Sequence, residues 1–392
     1  MADLSVEICG IRFPNPIFTA PGPPVRTGAA CVRCAEGGAG GVVTKTISVA
    51  AARPVTPNIA EIQHGMLNTE LWSELPPEAW LDGEYATART IGVPLIVSLG
   101  YAPDEIARLA PLVAPYADAV ELSTHYIGED AGPMIAAIRA AKAALDVPVF
   151  VKLSPLGREL VRAAEQAEGA GADAIVAINS FGPCLAIDIE TGRPRLGGAD
   201  GTGWLSGPAL KPLAVRCVRD IARAVRIPVI GVGGVSTGAD AVEMLMAGAS
   251  AVGVCTAAML RGPAVFGRIA RELDAWLDGH GYAGPAAIRG LASRPLVEPW
   301  ATAPPLVDAA HCNGCDLCEL ACPYDAIHVA EGLAVIDEAR CERCGLCITR
   351  CRHGALAWQA APAAGASRSE SPSGSRQPAA AGAVNTEGGP AR

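Results

Sequence analysis

A chain of 392 residues, half of them hydrophobic and 18% charged, is long enough for one large core and a small appended module. Its 40 acidic against 31 basic side chains leave a formal net charge of −9, which argues against nucleic acid and anionic membrane surfaces as partners. No basic-then-apolar leader follows Met1-Ala2-Asp3, and no apolar run reaches the roughly 18 residues of a spanning helix; with 14 cysteines, eight of them in two metal-cluster motifs that need reduced thiols, a cytoplasmic protein is expected.

Taken in order, residues 5–13 alternate apolar and polar around Cys9-Gly10 and predict a hairpin. Eight short apolar runs follow, at residues 17–20, 41–44, 95–98, 119–122, 149–153, 175–179, 229–232 and 251–254. They are continuous rather than alternating, as in parallel strands covered on both faces. Stretches rich in Ala and Leu, such as 133–145 and 239–247, separate them with helical spacing. Eight strand–helix units in roughly 290 residues predict an α/β fold, a (β/α)8 TIM barrel, over residues 1–298. A doubly wound open sheet is the alternative for the same alternation. Residues 299–310, rich in Pro and Ala, read as a linker to a small module at 311–358. The tail, 359–392, is Ala, Gly, Ser and Pro and is expected to be disordered, because it has too little apolar surface to bury.

The small module carries the most specific signal. From Cys312 the chain reads Cys-Asn-Gly-Cys-Asp-Leu-Cys-Glu-Leu-Ala-Cys-Pro, and from Cys341 it reads Cys-Glu-Arg-Cys-Gly-Leu-Cys-Ile-Thr-Arg-Cys. Each run sets three cysteines at two-residue gaps and a fourth after three more. That is the spacing of a bacterial two-cluster ferredoxin, in which the fourth cysteine crosses to the other cluster. Cys312, Cys315, Cys318 and Cys351 are therefore expected to hold one [4Fe-4S] cluster, and Cys341, Cys344, Cys347 and Cys322 the second. Paired Cys-x-x-Cys units also build structural zinc sites, but the repeated four-cysteine run favours clusters. Pro323 follows the first crossing cysteine, whereas Arg352 follows the second. A lone Cys31-Val32-Arg33-Cys34 reads as two small packing residues on a helix.

Barrel enzymes carry their chemistry on the loops after the strands. Here those positions hold Ala20-Pro21-Gly22, Lys45-Thr46, Ser98-Leu99-Gly100, Glu121 through His125, Lys152, Asn179-Ser180, Gly233-Gly234 and Cys255-Thr256. The last two predict a phosphate site: Gly233 and Gly234 let bare amides approach oxygen, and the helix after Thr237 adds its dipole. A phosphate-bearing redox cofactor beside iron–sulfur clusters suggests FMN, which takes two electrons and releases them singly. No Gly-x-Gly-x-x-Gly fingerprint opens a dinucleotide fold, so a nicotinamide is not expected on this chain.

These stretches, with Ile178-Asn179-Ser180 and Leu205-Ser206-Gly207-Pro208, resemble the FMN barrel of the dihydroorotate dehydrogenase family. Barrel followed by two-cluster ferredoxin is similar to the pyrimidine-reducing part of dihydropyrimidine dehydrogenase. The resemblance implies that Lys152 lies against the flavin, that Lys45 and Thr46 contact flavin and substrate, and that Ser206, Gly207, Gly233, Gly234, Cys255 and Thr256 hold ribityl and phosphate. Ala20, Gly22 and Ile178 belong to the same cofactor wall. Asn68 and Asn179, with Ser180, would hydrogen-bond a planar amide-bearing ring. After strand four the family carries Asn-Leu-Ser-Cys-Pro, with Cys or Ser as the base; this chain has Glu121-Leu122-Ser123-Thr124-His125. Thr124 then holds the catalytic position, Glu121 replaces the asparagine, and Ser123, His125 and Glu121 are the other acid–base candidates. An imidazole has a suitable intrinsic pKa.

The reading is an FMN and iron–sulfur oxidoreductase acting on a CH–CH bond of a small cyclic amide or acid, a homo- or hetero-oligomer. Its electron partner would be an NAD(P)H-oxidising flavoprotein subunit or a ferredoxin. The alternatives are an electron-transfer subunit that keeps FMN as a relay without substrate turnover, and a non-redox phosphate-binding synthase.

Overall fold

Eight parallel strands organise the first part of the molecule: β1 (Ile17–Thr19), β2 (Val42–Val43), β3 (Leu95–Leu99), β4 (Ala119–Leu122), β5 (Val149–Leu153), β6 (Ala174–Ala177), β7 (Val229–Val232) and β8 (Ala251–Val254). They lie in the order β1-β8-β7-β6-β5-β4-β3-β2. A parallel bridge between Phe18 and Gly41 brings β1 back to β2, with Thr19 N donating to Gly41 O at 3.1 Å. The order never reverses, so there is no topological switch point and the sheet is a barrel, not a doubly wound sheet. This computed structural model describes residues 2–100, 102–123, 130–293 and 303–359. The tail from 360 onward, residues 299–302 of the predicted linker, Thr124, His125 and Tyr126 lie outside the described residues.

The continuous apolar runs have the reason expected of them. Outward residues such as Ile17, Leu95, Val97, Val120, Val149, Val151 and Val252 pack into one large core with the helices. Inward residues, among them Phe18, Val43, Ile96, Ala119, Phe150, Val176 and Ile230, form a second cluster inside the barrel. The predicted hairpin pairs Val6–Ile8 with Ile11–Phe13. Its fully buried Ile8 and Phe13 join the interior cluster, and the Phe13 ring sits 4.4 Å from that of Phe18. Burying two such side chains stabilises by about 1.5–3 kcal/mol each. The hairpin thus closes the end where the strands begin and leaves their C-terminal ends as the place for chemistry.

Over those ends lies a four-stranded antiparallel sheet in the order Phe181–Cys184, Gly203–Ser206, Gly65–Asn68, Ile59–Ile62. It is built from the loops after β2 and β6. The sequence reading contains no strand in either loop, because the runs are only four residues long and three of the four contain Gly or Pro.

By contact the chain divides into two units, Met1–Arg294 and Pro295–Arg392. In the second, two short helices, Leu317–Ala321 and Leu346–Arg350, accompany two small antiparallel pairs. Ile327–Ala330 pairs with Leu333–Ile336, and Leu306–Val307 with Leu356–Ala357. A strand therefore occupies part of the stretch expected to be linker. Among the described residues no helix is long and apolar enough to cross a membrane.

Candidate active site and cysteine rings

A cavity of about 400 Å³ opens at the C-terminal ends of the strands, a size suited to an organic ligand. It is lined by Ala20 and Gly22 after β1, Lys45 and Thr46 after β2, Ser123 after β4, and Lys152 of β5. Ile178, Asn179 and Ser180 follow β6, Gly233 and Gly234 follow β7, Cys255 and Thr256 follow β8, and Asn68, Ser206 and Gly207 come from the small sheet. The structure therefore brings together every residue expected at cofactor or substrate. Of the four acid–base candidates, Ser123 lines the cavity, while Glu121 lies behind its wall, 2% exposed. Thr124 and His125 are outside the described residues.

One end of the cavity is made of small groups and hydroxyls. Gly233 and Gly234 have φ of 129° and 78°, where a side chain is strained. A Cβ on Gly234 would also stand 2.6 Å from that of Lys211, so glycine is required by packing as well as by any ligand. Thr256 Oγ1 donates to Ser206 Oγ at 2.9 Å. The expected dipole of the helix Gly238–Ala247 needs correction. Its first amides are already taken: Ser236 N and Thr237 N donate to Asp240 Oδ2, and Gly238 N donates to Glu272 Oε2. The cation at this end is instead Arg261, which lines the cavity and donates to Ser236 O at 3.3 Å. Sequence reasoning missed it, although it ends the short helix Thr256–Arg261 that opens at β8.

The other end is charged and aromatic. Lys45, 2% exposed, pairs with Glu70 at 2.6 Å and reaches Glu74 at 3.7 Å. Asn58 Nδ2 donates to the second oxygen of Glu70. Asn68 Nδ2 donates to Trp204 O at 3.1 Å, and its Oδ1 accepts from Glu70 N at 3.2 Å. Asn68 thus organises the wall as well as lining it. Trp72, Trp204 and Glu70 are also at the cavity. Glu70 escaped the sequence reading, though it stands two residues from Asn68. Tyr101 and Tyr126 are outside the described residues.

Between the ends, Lys152 reaches the cavity from the barrel interior, with its Nζ 3.7 Å from Glu121 Oε1. Burial pushes the Glu121 carboxyl above the usual carboxylate range, against the pull of Lys152. Burial likewise raises the Cys255 thiol to about 11, opposed by Lys152 and Lys45, so Cys255 stands in the wall as a neutral thiol. Cys31 and Cys34 are buried. Each is pushed up by burial, which suits packing and not nucleophilic work.

In the second unit each cysteine quartet lines its own small cavity. One is ringed by Cys312, Cys315, Cys318 and Cys351, the other by Cys322, Cys341, Cys344 and Cys347. The crossing positions of Cys322 and Cys351 follow from the fold: each ends one short helix and faces the other run. Among the described residues no group of three or more Cys, His, Asp or Glu side chains is placed to hold a metal ion. The four sulfurs of each run-crossing quartet line one small cavity. The two runs also share their backbone: Gly314 and Asp316 in the first, Arg343 and Gly345 in the second, all have positive φ. Amides of Ala326, Ala355 and Ala334 donate to the sulfurs of Cys322, Cys351 and Cys312 at 3.3–3.4 Å.

Residues 3–277 match the family model described as dihydroorotate dehydrogenase, and residues 311–355 match a 4Fe-4S dicluster domain. The chain is similar to the catalytic subunit of dihydroorotate dehydrogenase B (NAD(+)) from Methanothermobacter thermautotrophicus. The two are 41% identical over 304 residues, covering 74% of this chain and 98% of the relative. The subunit of the same name from Thermococcus kodakarensis is 38% identical over 304 residues, 74% of this chain and 99% of that one. That from Geobacter sulfurreducens is 39% identical over 295 residues, 72% and 95%.

Proposed function

This chain belongs to the dihydroorotate dehydrogenase family, whose model spans residues 3–277, and as such is an oxidoreductase acting on CH–CH donors; within that class we propose that it holds FMN in the barrel cavity and a [4Fe-4S] cluster in each cysteine ring. The observation that carries the reading is Lys152, a buried ammonium at the wall of a cavity whose two ends differ in chemistry. The end with Gly233, Gly234, Ser206, Thr256 and Arg261 suits a phosphate, and the rest of the cavity, from Lys152 to Trp204 with Asn179, suits a planar heterocycle. When bound, FMN accepts hydride from a carbon and releases electrons singly, the form in which clusters carry them.

The chain's own groups have defined tasks. Lys152 favours negative charge on a ring held against it. Ser123 is the described strand-four residue at the cavity, and the proton is moved by this loop, with Thr124 first and His125 as its acceptor. Each cavity cation already has an oxygen partner: Lys45 has Glu70, Lys152 has Glu121, and Arg261 has Ser236 O. The two lysines are therefore matched by carboxylates, and Arg261, whose partner is an uncharged carbonyl, stands at the phosphate end rather than beside the heterocycle. This supports an uncharged cyclic amide, a dihydropyrimidine, over the acid dihydroorotate named in the relatives. Those relatives are named as catalytic subunits of an NAD(+) enzyme. That supports a separate NAD(P)H-oxidising subunit or a ferredoxin as the electron partner here.

The test is anaerobic purification, identification of the acid-released flavin, and a screen of dihydropyrimidines and dihydroorotate for bleaching of the flavin. FMN with bleaching by an uncharged dihydropyrimidine is expected. Absence of flavin overturns the cofactor; bleaching by dihydroorotate alone overturns the substrate; bound FMN bleached by no substrate in the screen favours a relay subunit.

A further inference from the structure

Glu121 is the buried carboxylate that the chemistry above leaves without a task. Alternation along β4 turns Ala119 and Glu121 inward and Val120 outward. Parallel pairing sets Glu121 opposite Ser98 on one side and Phe150 on the other. Lys152 is the next inward residue of β5 after Phe150. Lys152 lines the cavity and Glu121 does not, so the carboxylate sits one layer deeper than the ammonium. At 3.7 Å the two are an ion pair without a hydrogen bond, and Oε1 of Glu121 has no hydrogen-bond partner among the described residues. No other carboxylate of the described residues pairs with Lys152. An orphaned, buried carboxylate oxygen is costly unless a charge beside it compensates.

We propose that Glu121 is a positioning residue and counter-charge for Lys152: it holds the ammonium at the cavity wall and offsets part of its charge, so that the pair, not the lysine alone, sets the reduction potential of the flavin. This inference rests on FMN occupying the cavity. It also removes Glu121 from the acid–base candidates, because a group behind the wall does not touch a substrate carbon.

Removing the counter-charge exposes the cavity to the uncompensated lysine. The anionic reduced ring is then favoured over the neutral oxidised one, and the potential rises. The experiment is a spectroelectrochemical titration of the full-length protein carrying FMN and clusters, in mildly alkaline buffer so that the carboxylate is ionised despite burial. In Glu121→Gln the affinity ratio for reduced over oxidised flavin is expected to rise about tenfold, close to 30 mV for a two-electron couple. In Glu121→Asp, which keeps the charge but withdraws it by one methylene, a smaller rise of the same sign is expected; it serves as the test if the glutamine variant does not fold. In a Lys152→Gln background Glu121→Gln should produce no rise, which a merely structural role for Glu121 does not require. FMN-replete variants whose potential stays within a twofold affinity ratio of the parent overturn the inference. A parent chain that retains no FMN overturns the cofactor reading, and this inference with it.

Discussion

The cysteine rings and the barrel cavity are built by opposite routes. In the rings, all eight cysteines come from two runs, Cys312 to Cys322 and Cys341 to Cys351, and only the two crossing cysteines need the other run. In the cavity, the lining residues are spread from Ala20 to Arg261 and arrive from almost every strand end and from a second sheet. A site assembled from local spacing tolerates change elsewhere in its unit, whereas a convergent site depends on every layer beneath it. Loss of one ligand should therefore be severe and confined in the rings. Loss of one supporting residue should be partial and far-reaching in the barrel.

The largest effect that tests this contrast is Cys322→Ala. Two intact [4Fe-4S] clusters carry about eight irons. The variant is expected to keep about half of that iron, with flavin content unchanged, by iron and sulfide analysis. Loss of flavin as well would show that the two sites are not independent. Next comes the strand-four loop, tested by Ser123→Ala, Thr124→Val and His125→Gln. Removing an acid or base typically costs about 100- to 10,000-fold, so stopped-flow reduction of the flavin by substrate should slow by that order in the variant that carries the role. If all three stay within about threefold, the loop moves no proton.

Phe13→Ala probes how far the cavity depends on the closed end of the barrel. Deleting a buried phenyl group costs about 3–5 kcal/mol. Denaturant unfolding should lose that much, and flavin affinity should fall although Phe13 touches no part of the cavity. Unchanged flavin affinity would mean the two ends of the barrel are uncoupled. The smallest effect expected is that of Glu70→Gln, which frees Lys45 of one partner. Relative affinity should move toward dihydroorotate by roughly tenfold, the scale of a pair worth about 1.4 kcal/mol. No movement in paired binding titrations would show that Lys45 does not face the substrate. Gly234→Asp, otherwise attractive for testing the phosphate end, is uninformative: a Cβ there already collides with Lys211, so any loss of flavin would have two causes.

Much of this was legible in the chain itself. Continuous apolar runs determined eight buried parallel strands, because both faces of such strands must be covered, and all eight appear within a residue or two of the expected places. Two-residue gaps between cysteines determined both rings, because the contacts that fix a ring are local. Polar and glycine residues at strand ends marked the cavity, since the barrel sends all its C-terminal ends to one side. What the sequence left hidden depends on contacts between distant segments. Glu70 and Arg261 look like ordinary surface charges until the second sheet and the short helix after β8 place them at the cavity. The helix after Thr237 looked ready for an anion until Asp240 and Glu272 were seen to occupy its first amides. Glu121 looked like a replaced catalytic group, and only the inward register of β4 against β5 set it behind Lys152. Periodicity and spacing specify which elements form; which charges meet is decided by the packing of those elements, because a pair's energy depends on distance and burial that no local pattern records.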